Sequence, residues 1–224
     1  MNKVTIATVN SVINKYVAGD INGRGFQVDS EQTPLCELAF KYRSDKCEAI
    51  KHPFTKFYYD LLSTQTKSVR KILEIGVGLK RQGSHSDNTS GPGLYMWKDF
   101  FPLAQVYGAD NDPRVMFRDG RIKTFLCDQS KKDDLSTLIR STGTNLDLVI
   151  DDGSHVPQDQ IGTCLTLMPL LKKEVIYIIE DVYDQNIINS FWGYDAKLIS
   201  LRGSNGKRYS DDKLIVVRNA SAWS

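Results

Sequence analysis

The chain lacks long apolar runs, an excess of either charge and any closely paired cysteines. Across 224 residues, 29 basic and 27 acidic side chains leave a formal net charge of +2. So even a balance gives no electrostatic footprint for nucleic acid or an anionic membrane. No stretch approaches the roughly 20 apolar residues of a membrane-crossing helix. The opening residues, with Asn2, Lys3 and Thr5, lack the apolar region of a secretory signal. Cys36, Cys47, Cys127 and Cys164 are widely spaced, with no Cys-x-x-Cys pair, and the last two lie in apolar runs. Buried free thiols in a reducing cytoplasm are the expectation. There is no internal repeat, low-complexity tract or interdomain linker.

What is present is a set of short apolar runs alternating with helical patterns. Strands are expected at 71–76, 105–110, 122–128, 146–151 and 174–180, and two more, at 196–202 and 213–219, should form an antiparallel hairpin at the sheet edge. Helical spacing marks 1–20, 35–43, 54–64, 94–101, 131–141 and the segment after Pro157. The fold class that follows is α/β: one doubly wound, Rossmann-like, mostly parallel sheet of seven strands with a C-terminal hairpin. Residues 1–35 read as a helical leader that serves as a lid, serves as a dimer arm or simply packs on the rest; residues 36–224 read as a single domain. The polar, glycine-rich stretch 79–93, with His85, reads as a mobile loop.

In open parallel sheets, ligands sit outside the carboxyl ends of the strands. Two strands here end in adjacent carboxylates, Asp151-Asp152 and Glu180-Asp181, with His155 just beyond the first pair. Carboxylates gathered on one rim repel one another unless protons or a cation hold them together, which points to a divalent metal site. Gly76 and Gly78 follow the first strand and allow close backbone approach to a ligand, with Glu74 inside that strand. Asp110 ends the second strand, where a carboxylate can accept both hydroxyls of a ribose.

In order, Glu74-Ile-Gly-Val-Gly78, Gly108-Ala-Asp110, Asp128-Gln-Ser130, Asp151-Asp-Gly-Ser-His155 and Glu180-Asp181 resemble the class I S-adenosylmethionine-dependent methyltransferases. More narrowly, the chain is similar over roughly residues 40–220 to the metal-dependent sugar O-methyltransferases of macrolide and related glycoside pathways, and to the cephalosporin hydroxylase family. Ser44-Asp45-Lys46, followed by Phe54 to Tyr59, is like that family's entry helix. The resemblance implies that Glu74, Gly76 and Gly78 surround the methionine part of S-adenosylmethionine. It places Asp110 on the ribose, Asp128 and Gln129 on the adenine, and Asp151 on the cofactor or behind the metal. Asp152, Glu180 and Asp181 would ligate Mg²⁺ or another divalent ion, and His155 would be the general base.

The chemistry fits those groups. A divalent ion lowers the pKa of a bound hydroxyl and orients it, hard carboxylates suit Mg²⁺, and a histidine can take the proton near neutral pH. The expected partner is a hydroxylated small molecule, a glycoside, with no nucleic acid or membrane and with a homo-oligomer as the base-rate expectation. Tyr183, Phe191, Trp192 and Tyr194 either stack on it or pack at an edge. Two alternatives stand beside this reading: a cephalosporin-hydroxylase-like enzyme using the same site on a different small molecule, and a non-catalytic S-adenosylmethionine-binding scaffold. A dinucleotide dehydrogenase would be expected to carry Gly-x-Gly-x-x-Gly, but position 81 is Arg81.

Overall fold

The computed structural model describes residues 3–78 and 90–223. The expected loop therefore falls mainly outside the described residues, His85 included, and its end, from Pro92, already belongs to a helix. The strands are β1 (Phe26–Gln27), β2 (Lys71–Ile75), β3 (Gln105–Asp110), β4 (Arg118–Asp119), β5 (Ile122–Leu126), β6 (Leu148–Asp151), β7 (Ile176–Ile179), β8 (Asp195–Arg202) and β9 (Lys213–Arg218). They form one sheet in the order β1-β8-β9-β7-β6-β2-β3-β5-β4. The strands β5, β3, β2, β6 and β7 run parallel, and β9 lies antiparallel to both β7 and β8. Seven strands match the expected runs. The two-residue β1 and β4 are additions at the edges, so the hairpin β8–β9 does not itself close the sheet: β1 pairs outside it, Phe26 opposite Leu201.

The helices are α1 (Lys3–Ala18), α2 (Pro34–Tyr42), α3 (Phe54–Leu62), α4 (Pro92–Phe100), α5 (Lys132–Thr142), α6 (Pro157–Leu167) and α7 (Ala220–Trp223). Their starts follow local chemistry. Pro34, Pro92 and Pro157 occupy first-turn positions, where a missing N–H costs nothing. The Thr33 hydroxyl caps α2 by accepting from the Cys36 N–H at 3.2 Å.

The central strands β2, β6, β7 and β9 are buried on both faces, which is why they are nearly continuous apolar runs. Ile72, Val106, Ile150, Ile178 and Val216 pack with α1, α2, α3 and α4 on one face. Leu73, Ala109, Val149, Tyr177 and Val217 pack with α5 and α6 on the other. The leader joins the first of these cores through Val9, Ile13 and Tyr16 of α1. Among the described residues, no helix is long and apolar enough to cross a membrane.

Candidate active site

The carboxyl ends of β2, β3, β5, β6 and β7 lie along one rim, as parallel strands require. Gly76 (φ +94) and Gly78 (φ +71) turn the chain at the end of β2. No described atom outside its chain neighbours lies within 4 Å of where a Gly78 side chain would begin. Asp110 lies across from the turn and accepts from the N–H groups of Val77 at 2.9 Å and Gly78 at 3.2 Å. Glu74 is buried beneath, its carboxylate filling the space a Gly93 side chain would need. Its Oε2 has no hydrogen-bond partner among the described residues. Burial pushes the Glu74 pKa up to about 7 against the pull of Lys46. Beyond the ends of β3 and β5 lies an open cavity of about 520 Å³ lined by Asn111, Asp112, Pro113, Leu126, Asp128, Lys131 and Asp134.

Gln129 does not face that cavity. It is buried, with its amide donating to Asp151 Oδ1 at 3.1 Å and Thr163 Oγ1 at 3.2 Å, while its Oε1 accepts from the Ser154 N–H at 2.8 Å. The side chain braces the turn after β6. Asp151 is likewise internal: Tyr177 donates to it at 3.0 Å, and burial raises its pKa to about 7. Asp128 lines the cavity, its carboxylate held by Ser130 and Lys131.

Asp152, His155 and Asp181 converge at the ends of β6 and β7, with ligand atoms that all lie within 4.8 Å of one another and could hold a cation. His155 Nε2 is 3.1 Å from Asp152 Oδ1, and its Nδ1 is 3.9 Å from Asp181 Oδ2. Both His155 (φ +56) and Asp181 (φ +50) hold left-handed backbones, a conformation that costs non-glycine residues about 1–3 kcal/mol and concentrates at functional sites. Asp152 hydrogen-bonds His155, which raises the imidazole pKa above its ordinary value. Burial works against ionisation of Asp152, but Lys46 and His155 outweigh it and hold that carboxyl at about 2.

Glu180 turns away from this group. Its Oε2 accepts from Lys46 Nζ at 2.7 Å, and its Oε1 accepts from the Tyr58 hydroxyl at 2.5 Å. Lys46, fully buried, also donates to Asp152 Oδ2 at 2.5 Å and pairs with Glu74 Oε1 at 3.2 Å. Burial pulls the Lys46 pKa down, but these three carboxylates reverse the effect and leave it well above the usual lysine value. One ammonium cannot compensate them all, and burial raises the pKa of Glu180 to about 8.

Sequence reasoning missed Lys46 and Tyr58 as parts of the site, and also a second group behind Asp181. His52, just before Pro53, is buried. Its Nδ1 sits 2.7 Å from Asp212 Oδ1, and its Nε2 sits 3.4 Å from Asp181 Oδ1. Burial opposes its charge, but Asp181 and Asp212 raise its pKa to about 9. Lys51 lies 3.4 Å from Asp211 and 3.7 Å from Asp181, so this corner already holds its own cations. The adjacent carboxylates Asp211-Asp212 before the apolar run of β9 were the available signal.

Of the four aromatics expected at an acceptor or an edge, only Tyr183 is on the rim, donating to Asp211 at 3.0 Å. Phe191 is core, and Tyr194 packs against the same core. Trp192 is exposed, but the chain enters β8 at Asp195, opposite Arg218 and next to the amino end of β7, so it lies at the far end of the sheet.

No family model matches the chain. A search of curated proteins finds the 8-demethyl-8-alpha-L-rhamnosyl tetracenomycin-C 2'-O-methyltransferase of Streptomyces olivaceus, 32% identical over 166 residues, 73% of this chain and 40% of that protein. The mycinamicin VI 2''-O-methyltransferase of Micromonospora griseorubida is 33% identical over 154 residues, 69% of this chain and 37% of that protein. Its relatives are sugar O-methyltransferases. The chain spans about two fifths of the length of these relatives. Among solved structures, the methyltransferase MycE of the mycinamycin pathway superimposes with a TM-score of 0.64 at 26% identity, covering 84% of this chain and 55% of that one. That structure is a complex with Mg and SAH, and a further MycE structure also contains Mycinamycin VI. The Rossmann-like methyltransferase fold is thus shared with the sugar O-methyltransferases.

Proposed function

We propose that this chain moves the methyl group of S-adenosylmethionine to a hydroxyl of a sugar or glycosylated small molecule, with a divalent cation, Mg²⁺ by its oxygen-rich donor set, at the rim. The observation that carries the reading is the convergence of Asp152, His155 and Asp181 beside the Gly76–Gly78 turn. The residues fit both groups. Asp181 presents Oδ2 to the group, 3.9 Å from His155 Nδ1, while its Oδ1 faces His52 Nε2 at 3.4 Å. Glu74 Oε2 is a free acceptor beneath the glycine turn. The relatives' sugar substrates support a glycoside as the acceptor.

Asp152 and Asp181 would hold the cation, whereas Glu180, expected as a third ligand, spends its two oxygens on Lys46 and Tyr58. When bound there, the cation supplies acidity and a fixed orientation to the acceptor hydroxyl. Gly76, Gly78 and Glu74 would surround the methionine part of the cofactor. Asp110 would hold the ribose, and Asp128 and Leu126 would flank the base. His155 takes the acceptor proton. With Asp152 accepting from Nε2–H, the basic nitrogen of the neutral ring is Nδ1, on a side chain 31% exposed and so within reach of an incoming hydroxyl. The remaining acceleration comes from holding sulfur, methyl and oxygen in line.

The test is calorimetric titration of S-adenosylmethionine into the folded protein with Mg²⁺ and with chelator, followed by turnover on glycoside acceptors. Cofactor binding and Mg²⁺-dependent methylation that falls at least a hundredfold in His155→Gln are expected. A folded protein that binds no cofactor under either condition would refute the reading. Cofactor binding with no methylation of any glycoside would favour a scaffold.

A further inference from the structure

Lys46 stands where the two halves of the site meet. It reaches the rim from the loop between α2 and α3, with its side chain 2% exposed. Glu74, at 3.2 Å from Nζ, belongs to the cofactor half. Asp152, at 2.5 Å, and Glu180, at 2.7 Å, belong to the cation half. We propose that Lys46 is a positioning residue that couples the two halves, so that occupancy of the cation site tightens cofactor binding. The proposal rests on the functional reading above.

The argument is one of shared charge. A divalent cation drawn to Asp152 repels the ammonium on the same carboxylate and takes over part of its role. The ammonium cannot retreat to water because it is enclosed, and its other partners are Glu74 and Glu180. Tyr58 already serves one oxygen of Glu180, so the displaced share of charge falls on Glu74 as well. Glu74 is sensitive to it, because burial has brought this carboxyl to about 7, at the edge of ionisation. A firmer Lys46 contact at Oε1 holds Glu74 ionised and fixes the orientation of Oε2, its unpartnered oxygen. An ordered, charged acceptor under the glycine turn is a better partner for the amino group of the cofactor's methionine part. By linkage, the cofactor must then raise cation affinity by the same factor.

The test is calorimetry on the whole chain with S-adenosylhomocysteine and Mg²⁺ as probes, each titrated with and without the other. In the wild-type protein each ligand should tighten the other by the same factor, about fivefold or more, the lower end of typical couplings. In Lys46→Gln the factor should fall to one. Should that variant not fold by circular dichroism, Glu74→Gln decides: at S-adenosylhomocysteine concentrations that saturate it, its Mg²⁺ affinity should equal that measured without S-adenosylhomocysteine. Independent or antagonistic binding in the wild type, or coupling that survives the deciding substitution, would overturn the inference. If neither probe binds the folded wild-type protein, the functional reading itself falls; if both bind independently, only the coupling does.

Discussion

Gly76 offers the sharpest test of how the two halves of the rim are built against each other. Its φ of +94 is a conformation that side chains disfavour. A Cβ at this position would lie 2.6 Å from the carbonyl carbon of Asp152 and 3.1 Å from the Gly153 Cα, and nearer still to the Asp152 carbonyl oxygen. Ordinary carbon–carbon contact is about 3.5–4.0 Å, so in Gly76→Ala the turn after β6 must retreat by about 1 Å. Left-handed strain of about 1–2 kcal/mol plus overpacking of about 1–3 kcal/mol gives a destabilisation of about 4 kcal/mol. With a urea slope of about 3 kcal/mol/M, near the top of the range for small proteins, the unfolding midpoint should fall by more than about 1 M. Gly78→Ala is the control: φ is +71, yet no described atom outside its chain neighbours lies within 4 Å. It should lose only the strain, about 1–2 kcal/mol. Gly76→Ala should also weaken divalent-cation binding, because the displaced turn carries Asp152, whereas Gly78→Ala should affect the cofactor alone. Equal midpoints for the two variants, or unchanged cation binding in Gly76→Ala, would refute this account of the turn.

Glu74 has a folded pKa raised from 4.5 to about 7, so the folded state holds a proton that the unfolded chain releases, and stability falls as pH rises through that window. Glu74→Gln should unfold like wild type below pH 4.5 and be the more stable protein above pH 7, by up to about 3.5 kcal/mol from 2.5 pKa units at about 1.4 kcal/mol each; parallel urea curves at the two extremes would sink the assignment. Asp110→Ala removes the acceptor for the Val77 and Gly78 N–H groups; cofactor affinity by calorimetry should fall at least tenfold, about 1.4 kcal/mol, with Mg²⁺ affinity in the absence of cofactor unchanged. Thr33→Ala deletes the cap of α2 and should cost about 1 kcal/mol in thermal or urea unfolding without touching ligand binding.

The central strands β2, β6, β7 and β9 were legible because they are buried on two faces and therefore largely apolar, and the rim carboxylates were legible because they stand at the ends of such runs. Pro34, Pro92 and Pro157 likewise announced the helices they open. The partners of the rim were not legible. Lys46 lies 106 residues from Asp152 and 134 from Glu180, and spacing along the chain says nothing about which distant loop will reach a strand end. Gln129 shows a different limit. It adjoins the cavity-lining Asp128, yet its side chain turns into the protein, where it needs the missing side chain of Gly153 to fit: a Cβ there would lie 2.8 Å from the Gln129 amide carbon. Trp192 shows a third, since residue type suggested a ring for stacking while strand register sent it to the opposite end of the sheet.

Strand alternation explains how two pairs of adjacent carboxylates came to be divided. In register, Glu74 lies opposite Ile150, and Ile150 lies opposite Ile178. Asp152 and Glu180 each stand two residues further along, so the period-two rule places Glu74, Asp152 and Glu180 toward the same face, the one covered by α1 to α4. That is the side from which Lys46 and Tyr58 arrive. Asp151, one residue out of phase, faces the other layer and meets Tyr177 and Gln129 instead. The same rule would carry Asp181 away from Asp152, toward the α5 and α6 side. Its left-handed backbone, and that of His155, break the alternation and bring both side chains to Asp152. The regular backbone therefore builds the buried cluster around Lys46, and the two strained residues build the cation site beside it. Asp152 is the carboxylate common to both, which is why a cation bound on the rim must be felt by Lys46.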